Sequence, residues 1–170
     1  MNEELKETFQ TAYEFELKGK KIYEDTSNNT KNPIVAKTFR YLADQEQLHA
    51  NEIKEYKEKL DQGISIEVRS DAPEETKRFF SMTVEEFKEK TELSDDDEAA
   101  HKVALELEQN AYDFYKEQHE KATDEKIKKF LKFLMTQENT HFELIQKAFE
   151  FIKDPAAFYA EEEKWTVDGG

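Results

Sequence analysis

The segment QEQLHA, residues 45–50, sets a glutamate and a histidine three residues apart inside what otherwise reads as the buried stripe of a helix. Phe39, Leu42, Glu46, His49 and Ile53 recur at steps of three and four, so Glu46 and His49 stand where apolar side chains should point inward. The pattern returns as QENTHF, residues 137–142, within the stripe Leu131, Leu134, Glu138, His141 and Ile145. Any reading of the chain has to account for both copies.

A shift of 92 positions (138 − 46) superimposes the two segments, and it superimposes much around them as well. Ala12 meets Ala104, Glu16 meets Glu108, Tyr23 meets Tyr115, Leu42 meets Leu134, and Ile53 meets Ile145. Glu16 lies between Ala12 and Gly19, and Glu108 between Ala104 and Ala111, so each carboxylate has small neighbours on its helix face. The chain is therefore a diverged duplication of a helical hairpin.

Apolar periodicity places four long helices at about 2–28, 33–60, 94–121 and 124–153. Pro33 suits a first helical turn, the run DQG (61–63) suits a helix end, and Ser94 followed by acids suits a capped helix start. The segment 61–93 reads as a crossover joining the hairpins, with one or two short helices beginning near Pro73 and Thr83. Phe79, Phe80 and Met82 within it suit core positions. Asp154-Pro155 is expected to stop the last helix, leaving a tail, 154–170, whose Phe158, Tyr159 and Trp165 would cover a bundle end or a subunit interface.

Composition agrees with an all-α fold, expected as one domain over residues 1–170. Hydrophobic residues make up 36% and charged residues 38%, with four glycines, three prolines and no cysteine. Absence of cysteine excludes a thiol nucleophile, an iron–sulfur cluster and a thiolate zinc module. A formal charge of −15 argues against nucleic acid as a partner, because phosphate binding requires clustered Lys and Arg. The N-terminal residues lack the apolar core of a signal peptide, and no segment has the length of a membrane helix, so a cytoplasmic location is expected.

Four inward carboxylates cannot stay charged together without compensation. They either take up protons or share cations, and with two imidazoles they offer the oxygen and nitrogen donors that suit a pair of divalent ions. The simpler account of one pair alone is a core histidine hydrogen-bonded to its neighbouring glutamate. Six residues recurring at one offset on inward faces favour metal. Glu98 and His101 share the spacing, but Glu98 follows an acidic run at a helix start and has no repeat counterpart, so it reads as a solvated partner of the helix dipole, and His119 reads as an exposed residue near a helix end.

On these residues the chain resembles the rubrerythrin family of the ferritin-like superfamily. The motifs are E-x-x-G-x-x-I-Y (16–23), E-x-x-H (46–49), E-x-x-A-x-x-F-Y (108–115) and E-x-x-H (138–141), and the likeness covers the four long helices. The resemblance implies a ferritin-like four-helix bundle with metal ligands Glu16, Glu46, His49, Glu108, Glu138 and His141. It further implies two iron ions, or manganese or zinc in their place, bridged by Glu16 and Glu108, and a homodimeric assembly. The implied activity is a di-iron oxidoreductase that reduces hydrogen peroxide or dioxygen with electrons from an external donor protein, with a role in oxidative stress. Ala111 stands where peroxide-reducing members carry an additional glutamate, and these residues contain no cysteine for the rubredoxin domain such members commonly carry, so electrons are expected from another protein. Tyr23 and Tyr115, two turns beyond Glu16 and Glu108, are either packing residues or hydrogen-bond partners of the ligands. Two other readings remain: a ferroxidase-like iron-handling protein, and an acidic helical module that docks on a basic partner.

Overall fold

The computed structural model describes residues 3–64, 68, 72–87 and 91–168, with the side chains of residues 72 and 162–168 outside the description. Six helices and no strand occur among them: α1 (Glu3–Asn29), α2 (Pro33–Asp61), α3 (Ala72–Glu86), α4 (Asp95–Lys121), α5 (Glu125–Lys153) and α6 (Pro155–Asp168). The all-α expectation holds. The short loops 30–32 and 122–124 pair α1 with α2 and α4 with α5, and contacts of α1 with α4 and of α2 with α5 close the four-helix bundle.

Local chemistry sets the helix ends. The Asn32 side chain accepts hydrogen bonds from the amides of Ile34 and Val35 ahead of Pro33, and Ser94 forms a reciprocal capping box with Asp97. Gly63, at φ 71°, lets the chain turn back after α2, with Ile64 N–H donating to Lys59 O at 2.9 Å and Gly63 N–H to Leu60 O at 3.1 Å.

The crossover holds one described helix, α3, rather than two. Thr83 lies inside it and turns its hydroxyl back onto Phe79 O at 2.9 Å, so it does not cap a second helix. Phe79 stacks on Tyr41 with centroids 4.0 Å apart, which seats α3 on the bundle, whereas Met82 is 61% exposed and takes no part in the core. Pro155 ends α5 and also starts α6. Asp154 breaks the helical backbone, and its side chain accepts from Ala157 N–H at 2.9 Å, so the tail continues as a helix. Phe158 packs edge-on against Phe80 and Phe151, covering that end of α5, and the Trp165 side chain lies outside the described residues.

Two apolar clusters fill the bundle. One gathers around Phe39, Leu42, Ile145 and Phe149, and the other around Phe9, Ile53, Phe130 and Leu134. On α2 and α5 the two E-x-x-H pairs lie between them, so the core is split by a polar belt.

Candidate metal centre

Each long helix supplies one glutamate to the belt, and α2 and α5 each add a histidine one turn later. Glu16, Glu46, His49, Glu108, Glu138 and His141 are all buried. Gly19 on α1 makes room for the belt: a β-carbon built there would stand 2.8 Å from Glu46 Oε2.

Contacts across the belt repeat the sequence symmetry. His49 Nδ1 is hydrogen-bonded to Glu16 Oε2 at 3.2 Å and lies 3.7 Å from Glu138 Oε1. His141 Nδ1 lies 3.5 Å from Glu108 Oε2 and 3.1 Å from Glu46 Oε1. The imidazole planes stack with centroids 5.1 Å apart. Glu46 groups with both histidines, and Glu138 groups with each in turn, whereas Glu16 groups with His49 alone and Glu108 with His141 alone. Glu46 and Glu138, rather than Glu16 and Glu108, are therefore the carboxylates that group with both imidazoles. Glu46 and Glu138 come from α2 and α5, the helices that also carry the histidines, and Glu16 and Glu108 come from α1 and α4.

The tyrosines act across the seam between the hairpins. Tyr23 on α1 donates to Glu108 Oε1 on α4, and Tyr115 on α4 donates to Glu16 Oε1 on α1. Burial, followed by the charge of the carboxylate each one faces, raises both phenols well above their ordinary range and keeps them as donors.

Burial, followed by repulsion from Glu16 and Glu108, pushes the carboxyls of Glu46 and Glu138 well above the usual range. Burial also raises Glu16, but the hydrogen bond and charge of His49, with hydrogen bonds to Glu46 and Tyr115, outweigh it and hold Glu16 below its ordinary value. Without cations, the belt is thus a set of carboxyls sharing protons.

Donor chemistry fits metal. Glu46 Oε1, Glu108 Oε2, Glu138 Oε1, both His141 nitrogens and His49 Nε2 are buried without a hydrogen-bond partner, an arrangement that costs about 1–3 kcal/mol for each group left unmet. His141 Nδ1 and Glu46 Oε1 are close enough to bond at 3.1 Å but misaligned for it. Donors held at about 2.1 Å from one cation stand about 3 Å apart, near the spacing seen here. The donor atoms of Glu46, Glu108, Glu138 and His141 all lie within 4.8 Å of one another, as do those of Glu16, His49 and Glu138.

The third E-x-x-H stays outside the belt. His101 stacks on Phe149 with centroids 3.9 Å apart, and Glu98 lies 3.6 Å from Lys153. His119 is half-buried in the last turn of α4, where an exposed side chain was expected. Sequence reasoning found the small residue at 19 but not the carboxylate that occupies its space. It offered hydrogen bonding as one role for the tyrosines but did not find that each reaches the opposite hairpin, although the shared offset of Tyr23–Tyr115 and Glu16–Glu108 carries that signal.

Among the described residues, no helix is long and apolar enough to cross a membrane. No curated protein and no solved structure matches the chain. The rubrerythrin family model matches residues 7–149, a span that begins before Glu16, ends after His141 and takes in both hairpins. With buried carboxylates and imidazoles arranged on four helices over that span, the chain belongs to the rubrerythrin family.

Proposed function

We propose that the belt binds two iron ions and that the protein is a di-iron oxidoreductase, reducing hydrogen peroxide or dioxygen with electrons from an external donor. The observation that carries this reading is the set of buried carboxylate and imidazole atoms without hydrogen-bond partners, converging from four helices at ligand spacing. Glu16, Glu46, His49, Glu108, Glu138 and His141 would hold the ions. When bound, the iron pair supplies the electrons and the Lewis acidity for reducing an oxygen–oxygen bond.

The chain's own residues do the rest. The two apolar clusters keep bulk water from the belt, and the crosswise tyrosine hydrogen bonds fix the Glu16 and Glu108 carboxylates in orientation. A proton held on Tyr23 or Tyr115 lies beside a ligand carboxylate, where it can be passed inward. The methyl of Ala111 cannot coordinate, so that position adds no ligand.

Elemental analysis of protein loaded anaerobically with ferrous iron and desalted tests the binding. Two irons per chain, lost in Glu46→Ala/His49→Ala, are expected. Retention of no iron would refute the proposal. For the activity, the loaded protein mixed with peroxide should oxidise faster than free ferrous iron, and equal rates would count against turnover. Unchanged oxidation kinetics in Tyr23→Phe/Tyr115→Phe at unchanged iron content would dismiss the proton relay.

A further inference from the structure

We infer that the outer seam between α1 and α4 is where the external electron donor docks, and that this donor is a small basic protein whose one-electron centre sits beneath an apolar surface. This rests on the oxidoreductase reading above. On α1, Phe15 and Ile22 stand two helical turns apart, and their repeat partners on α4 are Leu107 and Phe114 (107 − 15 and 114 − 22 are both 92). All four are half-buried, and Val103, one turn before Leu107, is 45% exposed. The two apolar stripes meet, because Phe15 packs edge-on against Phe114 with ring centroids 5.1 Å apart. Phe15 belongs to neither apolar cluster of the core, so packing inside the bundle does not account for it. The two further helices, α3 and α6, lie against α5, which leaves the α1–α4 seam facing outward.

The seam is also joined to the belt. Phe114 packs on Tyr115 with centroids 5.6 Å apart, and Tyr115 donates to Glu16, so contacts run unbroken from the outer ring of Phe15 to a carboxylate of the belt. Electron tunnelling falls off steeply with distance and across gaps, which makes a face in continuous contact with the belt a favourable point of entry. Each encounter oxidises the donor's centre by one electron and reduces one bound ferric ion to ferrous, while Tyr115 stays a phenol. Charge selects the partner. Exposed Glu14, Glu106 and Asp113 immediately precede three of the four stripe residues. Lys21 takes the fourth such place but stands 3.6 Å from Asp25, which leaves Lys18 to set against the three acids. An apolar strip rimmed by acids fits an apolar patch ringed by Lys and Arg. A second copy of this chain would bring a charge of −15 and the same acids to the contact, so repulsion opposes it.

Zinc-substituted cytochrome c, a basic protein whose photoexcited triplet state gives up one electron, serves as the probe. Calorimetry with the iron-loaded ferric protein should show binding at low salt that weakens as salt is raised. Flash excitation should show the triplet quenched within that complex, and the metal-free protein should bind as well but quench far less. Glu14→Lys/Glu106→Lys should weaken binding about tenfold, whereas Asp44→Lys/Glu55→Lys, the same change of charge at exposed positions on α2, should stay within about threefold of wild type. Phe15→Ser, which alters no charge, should also weaken binding, with circular dichroism showing that each variant is folded. Absence of binding at low salt, equal losses from the two charge reversals, unweakened binding in Phe15→Ser, or a bound probe that the ferric protein does not quench would overturn the inference. Protein that retains no iron would instead overturn the reading beneath it.

Discussion

Gly19 occupies a place where alanine would serve the helix better. In the metal-free protein, Gly19→Ala is expected to gain up to about 1 kcal/mol, because the atom it displaces is the end of a flexible side chain. The same change should reduce bound metal, so thermal unfolding and elemental analysis should move in opposite directions. Tyr23→Phe leaves Glu108 Oε1 buried without its donor and should cost about 1–3 kcal/mol in chemical denaturation. At this scale the sequence was legible wherever a residue broke its own helix pattern. Glu46 and His49 showed themselves by interrupting an apolar stripe. Which glutamates group with both histidines was not legible, because one helix's periodicity says nothing about its register against another.

Helix ends were the most readable elements, since a cap is a local affair of three or four residues. Asn32 caps α2, and its side-chain nitrogen also donates to Thr91 Oγ1 and Glu92 O, which ties the first loop to the approach of α4. Asn32→Ala should therefore cost at least the ~1 kcal/mol of an ordinary cap, read as a lowered unfolding midpoint. The helix α6 is hard to foresee from sequence because Pro155 both stops one helix and fits the first turn of the next equally well. On α4, burial, followed by the charge of Lys153 and with Lys102 adding to it against Glu98, lowers His101 below its ordinary 6.5. A histidine with a depressed folded value contributes stability that is complete above 6.5 and lost as pH falls below it. Thermal melts of wild type against His101→Phe, which keeps a ring on Phe149, should diverge as the buffer is taken from neutral to acid, with the variant falling less.

At the level of the whole molecule, the polar belt divides the core, so the middle of the bundle is held least well when its acids have only protons to share. Cation binding should reverse this. At a free metal concentration 100 times the dissociation constant, the gain is about 2.7 kcal/mol, and stripping the ions with a chelator should lower the melting temperature accordingly. The duplication that made the belt legible also carries a historical consequence. Each half-belt draws on both hairpins, Glu16 and His49 from the first and Glu138 from the second, so neither hairpin encloses an ion alone. A single hairpin facing a copy of itself would present the same six donors. Joining the two through one chain turns a meeting that depends on concentration into one that is always at hand. It also frees the halves from having to match, and a glycine at 19 where the second copy has alanine at 111 is what that freedom looks like once inherited.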